Sequence, residues 1–295
     1  MHYQEVFTPN DFPTVTYVDR AEHKLEARLR DVYETPNMVI SVAGPSKSGK
    51  TVLIKKVVPE DMLITVRGAS IKGPDDLWVR VLDWMGAPVE ISEQQSTSNE
   101  VTGGSEGGGG FTIPFAGKIE AKLTAGGTRG WGGAENKTFL RTGLEQVIRE
   151  IGKSDFVVFI DDFHYIPAAI RDDIGKQIKA AAESGVKIFT ASVPHRSDDV
   201  VRSNPELRGR VVAIDLELWT SSELIQIARK GFEALNVDLA PDIERRFAAE
   251  AFGSPQLMQS ICLNLALVLD VRETLPELVR IEVSPESPFE NGLNG

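Results

Sequence analysis

Eight consecutive residues, Gly44-Pro45-Ser46-Lys47-Ser48-Gly49-Lys50-Thr51, bring two glycines, a lysine and a hydroxyl side chain together at a spacing suited to phosphate. Glycine lets a backbone wrap tightly, so that several N–H groups converge on one anion. In the pattern G-x-x-x-x-G-K-[ST], the lysine reaches the outer phosphates of a nucleotide and the hydroxyl takes a magnesium ion. The positive end of a following helix points at the same phosphates. With Val52 on that helix, residues 44–52 form the candidate nucleotide-binding stretch, in which Lys47 is expected to face solvent. The ligands implied are ATP and Mg²⁺, ATP being the default because no guanine-specific motif is present.

Such a loop needs an acidic partner on a nearby strand. The run Phe156-Val157-Val158-Phe159-Ile160 is apolar and ends in Asp161 and Asp162. Carboxylates at the C-terminal end of a buried parallel strand lie where ligands of such sheets bind. Asp161 is expected to hold Mg²⁺ through water, and Asp162 to orient or deprotonate the attacking water. The alternative, a plain strand ending in surface acids, loses weight beside the glycine loop. His164 reads as a loop histidine, since no second histidine or cysteine stands at metal-ligand spacing. Ser192 ends the next apolar run, with His195 and Arg196 just beyond. In a sheet with an additional strand between loop and acids, Ser192 would sense the γ-phosphate; otherwise it is an ordinary strand-end hydroxyl. Arg202, Arg208 and Arg210 precede a further apolar run. One of them could reach a neighbouring subunit's γ-phosphate, or each could cap a helix or pair with an acid.

The elements that must position these groups are legible in the hydrophobic periodicity. Leu25, Leu29, Val32 and Tyr33 predict a helix over residues 20–34, ended by Pro36 and Asn37. Apolar strands are expected within residues 38–44, 61–68, 155–162, 186–192 and 210–216, alternating with helices near 50–58, 75–85, 138–151 and 166–185. That alternation calls for a parallel sheet covered on both faces. From Leu218 onward strands are expected to stop. Thr220 and Glu223 stand at capping-box spacing, and two further helices begin at Pro241 and Pro255.

The fold class expected is α/β, a three-layer parallel-sheet phosphate-loop domain over residues 18–217, followed by a small all-helical lid over 218–283. Residues 1–17 read as an extension and 284–295 as a disordered tail. Between Gly103 and Gly133 lie 12 of the 26 glycines, which marks residues 92–137 as an insertion. Inside it Phe111, Ile113, Phe115, Ile119, Ala121 and Leu123 fall on one face of a possible hairpin around Ala116-Gly117-Lys118. The choice is between a mobile surface loop and a projecting hairpin that touches a partner.

Bulk properties set limits. The chain has 295 residues and a net charge of −11, which argues against broad electrostatic binding to nucleic acid or anionic lipid. No membrane span and no secretory signal are expected. The single Cys262 sits on an apolar helix face, fitting a buried thiol and a reducing, cytoplasmic setting.

The chain resembles the AAA+ and STAND branch of phosphate-loop ATPases, especially relatives of the origin-recognition ATPases. The likeness runs from about Tyr17 to Asp270 and rests on the loop, the paired acids, residues 17–29 and Gly253-Ser254-Pro255. It implies that the region of Arg20 lies against the adenine and that the lid around Pro255 closes over the base. Many relatives carry an arginine after the Gly-x-Pro element, a lid sensor for the γ-phosphate, where this chain has Gln256. The resemblance implies an ATP-driven switch that assembles with itself or a protein partner, in roles such as signalling or defence against phage. The alternatives are a DNA-linked ATPase, a module that binds nucleotide without turnover, and a kinase.

Overall fold

In the computed structural model, which describes residues 1–87, 143–193, 207 and 209–282, the described chain passes through eleven helices and strands up to residue 215. These are α1 (Tyr3–Val6), α2 (Leu25–Glu34), β1 (Val39–Ala43), α3 (Lys50–Val57), β2 (Leu63–Arg67), α4 (Asp76–Trp84), α5 (Gly143–Ile151), β3 (Val157–Asp161), α6 (Ala168–Glu183), β4 (Lys187–Ser192) and β5 (Val211–Asp215). The glycine-rich segment and its hairpin, His195, Arg196, Arg202, Arg208 and the tail 284–295 lie outside the described residues.

The strands form one sheet in the order β2-β3-β4-β1-β5, each neighbouring pair parallel. β4 therefore lies between the strand that carries the glycine loop and the strand that carries the acids. Because the strands are parallel, the loop after β1 and the acids of β3 emerge at the same edge. All five residues of β1 are buried, as a strand must be with neighbours on both edges and helices on both faces. Side chains alternate across the sheet. Val158 and Ile160 pack with Trp78 and Leu82 of α4, Val147 of α5 and Ile178 of α6. Val157 and Phe159 pack on the opposite side with Leu29 of α2 and Leu53 and Ile54 of α3. Each such side chain, fully removed from water, contributes about 1.5–3 kcal/mol. The result is the three-layer α/β arrangement.

Beyond the sheet lie α7 (Ser221–Ala234), β6 (Val237–Leu239), α8 (Pro241–Glu250), α9 (Pro255–Val268) and β7 (Val279–Ile281). Thr220 accepts from the Glu223 N–H while the Glu223 carboxylate accepts from the Thr220 N–H, so the capping box forms as its spacing predicts. Pro241 and Pro255 open their helices. The expectation of no strands after Leu218 fails in one detail, since β6 and β7 pair in parallel over three residues each. Strands that short carry no readable alternation.

The first residues do more than extend the chain. Tyr3, Val6, Phe7 and Val18 are buried in one cluster with α7, α8 and α9. The Phe7 ring stands 4.9 Å from that of Phe232 and fills the space a side chain at Gly231 would need, its Cε1 only 2.2 Å from where a Cβ would sit. The Tyr3 N–H donates to the Arg272 carbonyl at 3.1 Å, and the Thr274 N–H to the Met1 carbonyl at 3.0 Å. Cys262 is buried in the same core, where burial pushes its thiol pKa well up. Among the described residues no helix is long and apolar enough to cross a membrane.

Candidate functional site

The turn from β1 into α3 is held by local chemistry. Lys47 and Gly49 take left-handed backbone angles, φ 64° and 95°, and at Gly49 the glycine makes this free of strain. A Cβ on Gly44 would lie 2.8 Å from that of Leu216 and 3.0 Å from the Ser48 hydroxyl, so only glycine fits. Lys50 is buried and folds over the loop, its Nζ donating to the carbonyls of Gly44 at 3.0 Å and Pro45 at 2.8 Å. Burial lowers its pKa, against the raising pull of Asp161 and Asp162. The Ser48 hydroxyl, in a residue only 2% exposed, has no hydrogen-bond partner in the structure. A buried hydroxyl left over inside a turn of converging N–H groups fits a loop built to take an anion. Lys47 is exposed, as expected.

The acids arrive across β4. The Thr51 hydroxyl donates to Asp161 Oδ2 at 3.0 Å, joining the loop to β3. Burial raises the Asp161 pKa, with Asp162 adding to the effect and the Thr51 hydrogen bond opposing it. Asp162, exposed and with φ 53°, donates its N–H to Asp161 Oδ1 at 2.9 Å. A hydroxyl and a carboxylate are hard oxygen donors, matched to Mg²⁺, which takes one or two protein ligands and completes its shell with water and substrate phosphates. No group of three or more acids, histidines or cysteines placed to hold a metal by itself exists among the described residues.

Loop and acids open into a cavity of about 450 Å³. Ser46 to Leu53, Asp161 and Asp162 form one end, and Arg20, Ile227, Pro255 and Gln259 line it on the lid side. Its wall continues through residues 8–13 and 16–19, of which those up to Tyr17 read from the sequence as an extension, and through Leu216, Trp219 and Gln256. Gln259 on α9, 4% exposed, holds that wall: its Oε1 accepts from the Thr8 N–H at 3.2 Å and its Nε2 donates to Thr16 Oγ1 at 2.5 Å. Gln256 donates to Asn10 Oδ1 at 3.0 Å. Phe12 stacks with Tyr17, centroids 6.1 Å apart. The density of Val6, Phe7, Phe12 and Val15 was the available signal that this segment packs.

Other expected residues sit elsewhere. Arg20 borders the cavity, but its guanidinium is committed to Glu223 at 2.7 Å and the Glu217 carbonyl at 3.3 Å, joining the sheet domain to α7. Ser192 is buried beside Ala43 in the register of β1 and β4, its carbonyl accepting from the Gly44 N–H at 3.2 Å; the cavity wall at that strand end is Val193. Arg210 lies at the opposite edge of the sheet, where its carbonyl accepts from the Val39 N–H at 2.8 Å and its side chain pairs with Glu183 at 3.1 Å. Five residues of β1 separate it from its own loop, roughly 16 Å of strand.

No protein-family model and no curated protein matches the sequence. Solved structures do. A Walker-type ATPase of Pyrococcus abyssi superposes with a TM-score of 0.57 at 15% identity, over 88% of this chain and 70% of that one. The Aeropyrum pernix ORC2 protein gives 0.58 at 15% identity, over 93% and 69%. The Cdc6 protein of Pyrobaculum aerophilum gives 0.56 at 13%, over 90% and 66%. At such identities the likeness is one of fold alone, an α/β fold shared with a Walker-type ATPase, an ORC2 protein and a Cdc6 protein.

Proposed function

We propose that this chain is an ATP-binding and ATP-hydrolysing switch of the AAA+ and STAND kind, whose nucleotide state governs self-assembly or the binding of a protein partner. One observation carries the reading: the phosphate loop, the paired acids, the lid helices and the N-terminal segment all line a single cavity. Its volume suits a nucleotide-sized ligand, and anything filling it touches every unit that could move. In this reading Lys50 leaves its own loop carbonyls for the phosphates, and Gly44 to Val52 enclose them. Thr51 and, through water, Asp161 would hold Mg²⁺, which supplies positive charge to the phosphate oxygens. Asp162 orients the water that attacks the terminal phosphorus and accepts its proton, while the bond from that phosphorus to the β–γ bridging oxygen breaks and ADP and phosphate are the products. Pro255 and the Arg20 region border the base.

The name of the Aeropyrum structure states ADPNP and ADP complexes, which supports nucleotide as the ligand here. A role beside DNA is not favoured, given a net charge of −11. The test combines equilibrium ATP binding with phosphate release. Lys50→Ala is expected to lose affinity by on the order of 100-fold or more, because it removes a buried charge that meets phosphate. Asp162→Asn is expected to retain binding and to slow turnover by about 100-fold or more. Unchanged affinity in the lysine variant overturns the loop assignment. Binding without turnover in the unmodified chain would leave a nucleotide-holding module instead.

A further inference from the structure

Trp219 lines the same cavity and has no chemical role in the reading above, yet it sits where three segments meet. Its indole N–H donates to the Ser48 carbonyl at 3.0 Å. Its backbone N–H donates to the Gly253 carbonyl at 3.1 Å, two residues before α9 begins. The Arg20 guanidinium lies over its ring, 5.2 Å from the centroid, and is tied in turn to Glu223 of α7. Trp219 also directly precedes Thr220, the residue that caps α7.

The Ser48 carbonyl and the Gly49 N–H belong to one planar peptide, and in the trans form the two point in opposite directions. The described residues contain no cis peptide. A donor that fixes the carbonyl therefore also aims the N–H, one of the loop donors that meet phosphate in this pattern. Gly49, at φ 95°, gives that peptide no steric restraint of its own. Resting on the ATPase reading, we propose that Trp219 is a positioning residue: its indole aims the Gly49 N–H and carries the state of that peptide to the lid. A rotation of the peptide between nucleotide states either breaks the indole bond or moves the indole, and with it the starts of α7 and α9. Packing alone would require only the ring.

Trp219→Phe keeps an aromatic ring beneath Arg20 and removes the N–H. Replacement of Trp219 by benzothienylalanine keeps the bicyclic shape as well, and serves if the phenylalanine form melts early. ATP affinity is measured by calorimetry, and protection of α7 and α9 by hydrogen exchange with and without ATP. Loss of one net hydrogen bond predicts about three- to tenfold weaker ATP binding. The ATP-dependent protection of both helices at saturating ATP is expected to fall by at least about half in both variants, the shape-preserving benzothienylalanine form separating loss of the N–H from loss of ring packing. Affinity and protection equal to wild type in the variant, while wild type binds ATP, overturn this proposal alone. Failure of wild type to bind ATP overturns the ATPase reading, and this one with it.

Discussion

Arg20 and Glu223 show how one ion pair can serve two domains. Burial alone would raise the Glu223 pKa, but hydrogen bonds from Arg20 and then Thr220 outweigh it and the net shift is downward. A carboxylate whose pKa is depressed by folding adds stability that is fully present above its unfolded value, and loses it as pH falls through the folded value. The pair is thus expected to hold the lid to the sheet domain at neutral pH and to release it in acid. Glu223→Gln should flatten the acid limb of a melting temperature against pH profile, starting near the ordinary carboxylate range of about 4.3. Parallel acid limbs in variant and wild type would remove this role. The pair also explains the position of Arg20: its guanidinium is spent between domains, so its contribution to a nucleotide is one of wall rather than of charge.

At the scale of elements, the N-terminal segment has the greatest leverage for its length. Phe7 lies in the lid core against Phe232, and residues 8–13 continue from it along the cavity. Phe7→Ala is expected to cost about 3–5 kcal/mol, to unfold the lid ahead of the sheet in denaturant, and to weaken ATP binding as the cavity wall loosens. A single transition with unchanged affinity would show the segment to be dispensable. This element was also the least legible in the sequence. The loop 44–51 and the acids 161–162 could be read because their chemistry depends on neighbours a few residues apart. The alternation of strands and helices gave the parallel sheet, though strand order depends on which edges pair and leaves no mark on any one strand. The Thr8 to Gln259 hydrogen bond spans 251 residues, and nothing local announces such a pairing. Trp219 gave equally little sign, a lone aromatic between two polar stretches, and β6 and β7 were too short to show a period.

For the whole molecule, the separation of Arg210 from its own loop decides what it can do. A side chain at the far edge of the sheet cannot reach the phosphates of its own site, so any phosphate it meets would have to belong to an adjacent copy. Its ion pair with Glu183 is exposed and worth about 0–1 kcal/mol, so redeployment costs little. If copies assemble head to tail, specific ATPase activity should rise with protein concentration, and Arg210→Ala should lower it by at least about tenfold. Mixing Arg210→Ala with Asp162→Asn copies should then restore activity that neither has alone, since each supplies what the other lacks. Activity independent of concentration, with no recovery on mixing, would make the functional unit a monomer and leave Arg210 a surface pair. The clasp between residues 1–3 and 272–274 bears on biosynthesis as well. Residues 3–7 are made well before the helices they pack on, which lie between Leu224 and Val271. Tyr3, Val6 and Phe7 stay unshielded until those later residues have been synthesised. The sheet, whose fifth strand ends at Asp215, can condense first, and during that interval the apolar segment is open to a chaperone.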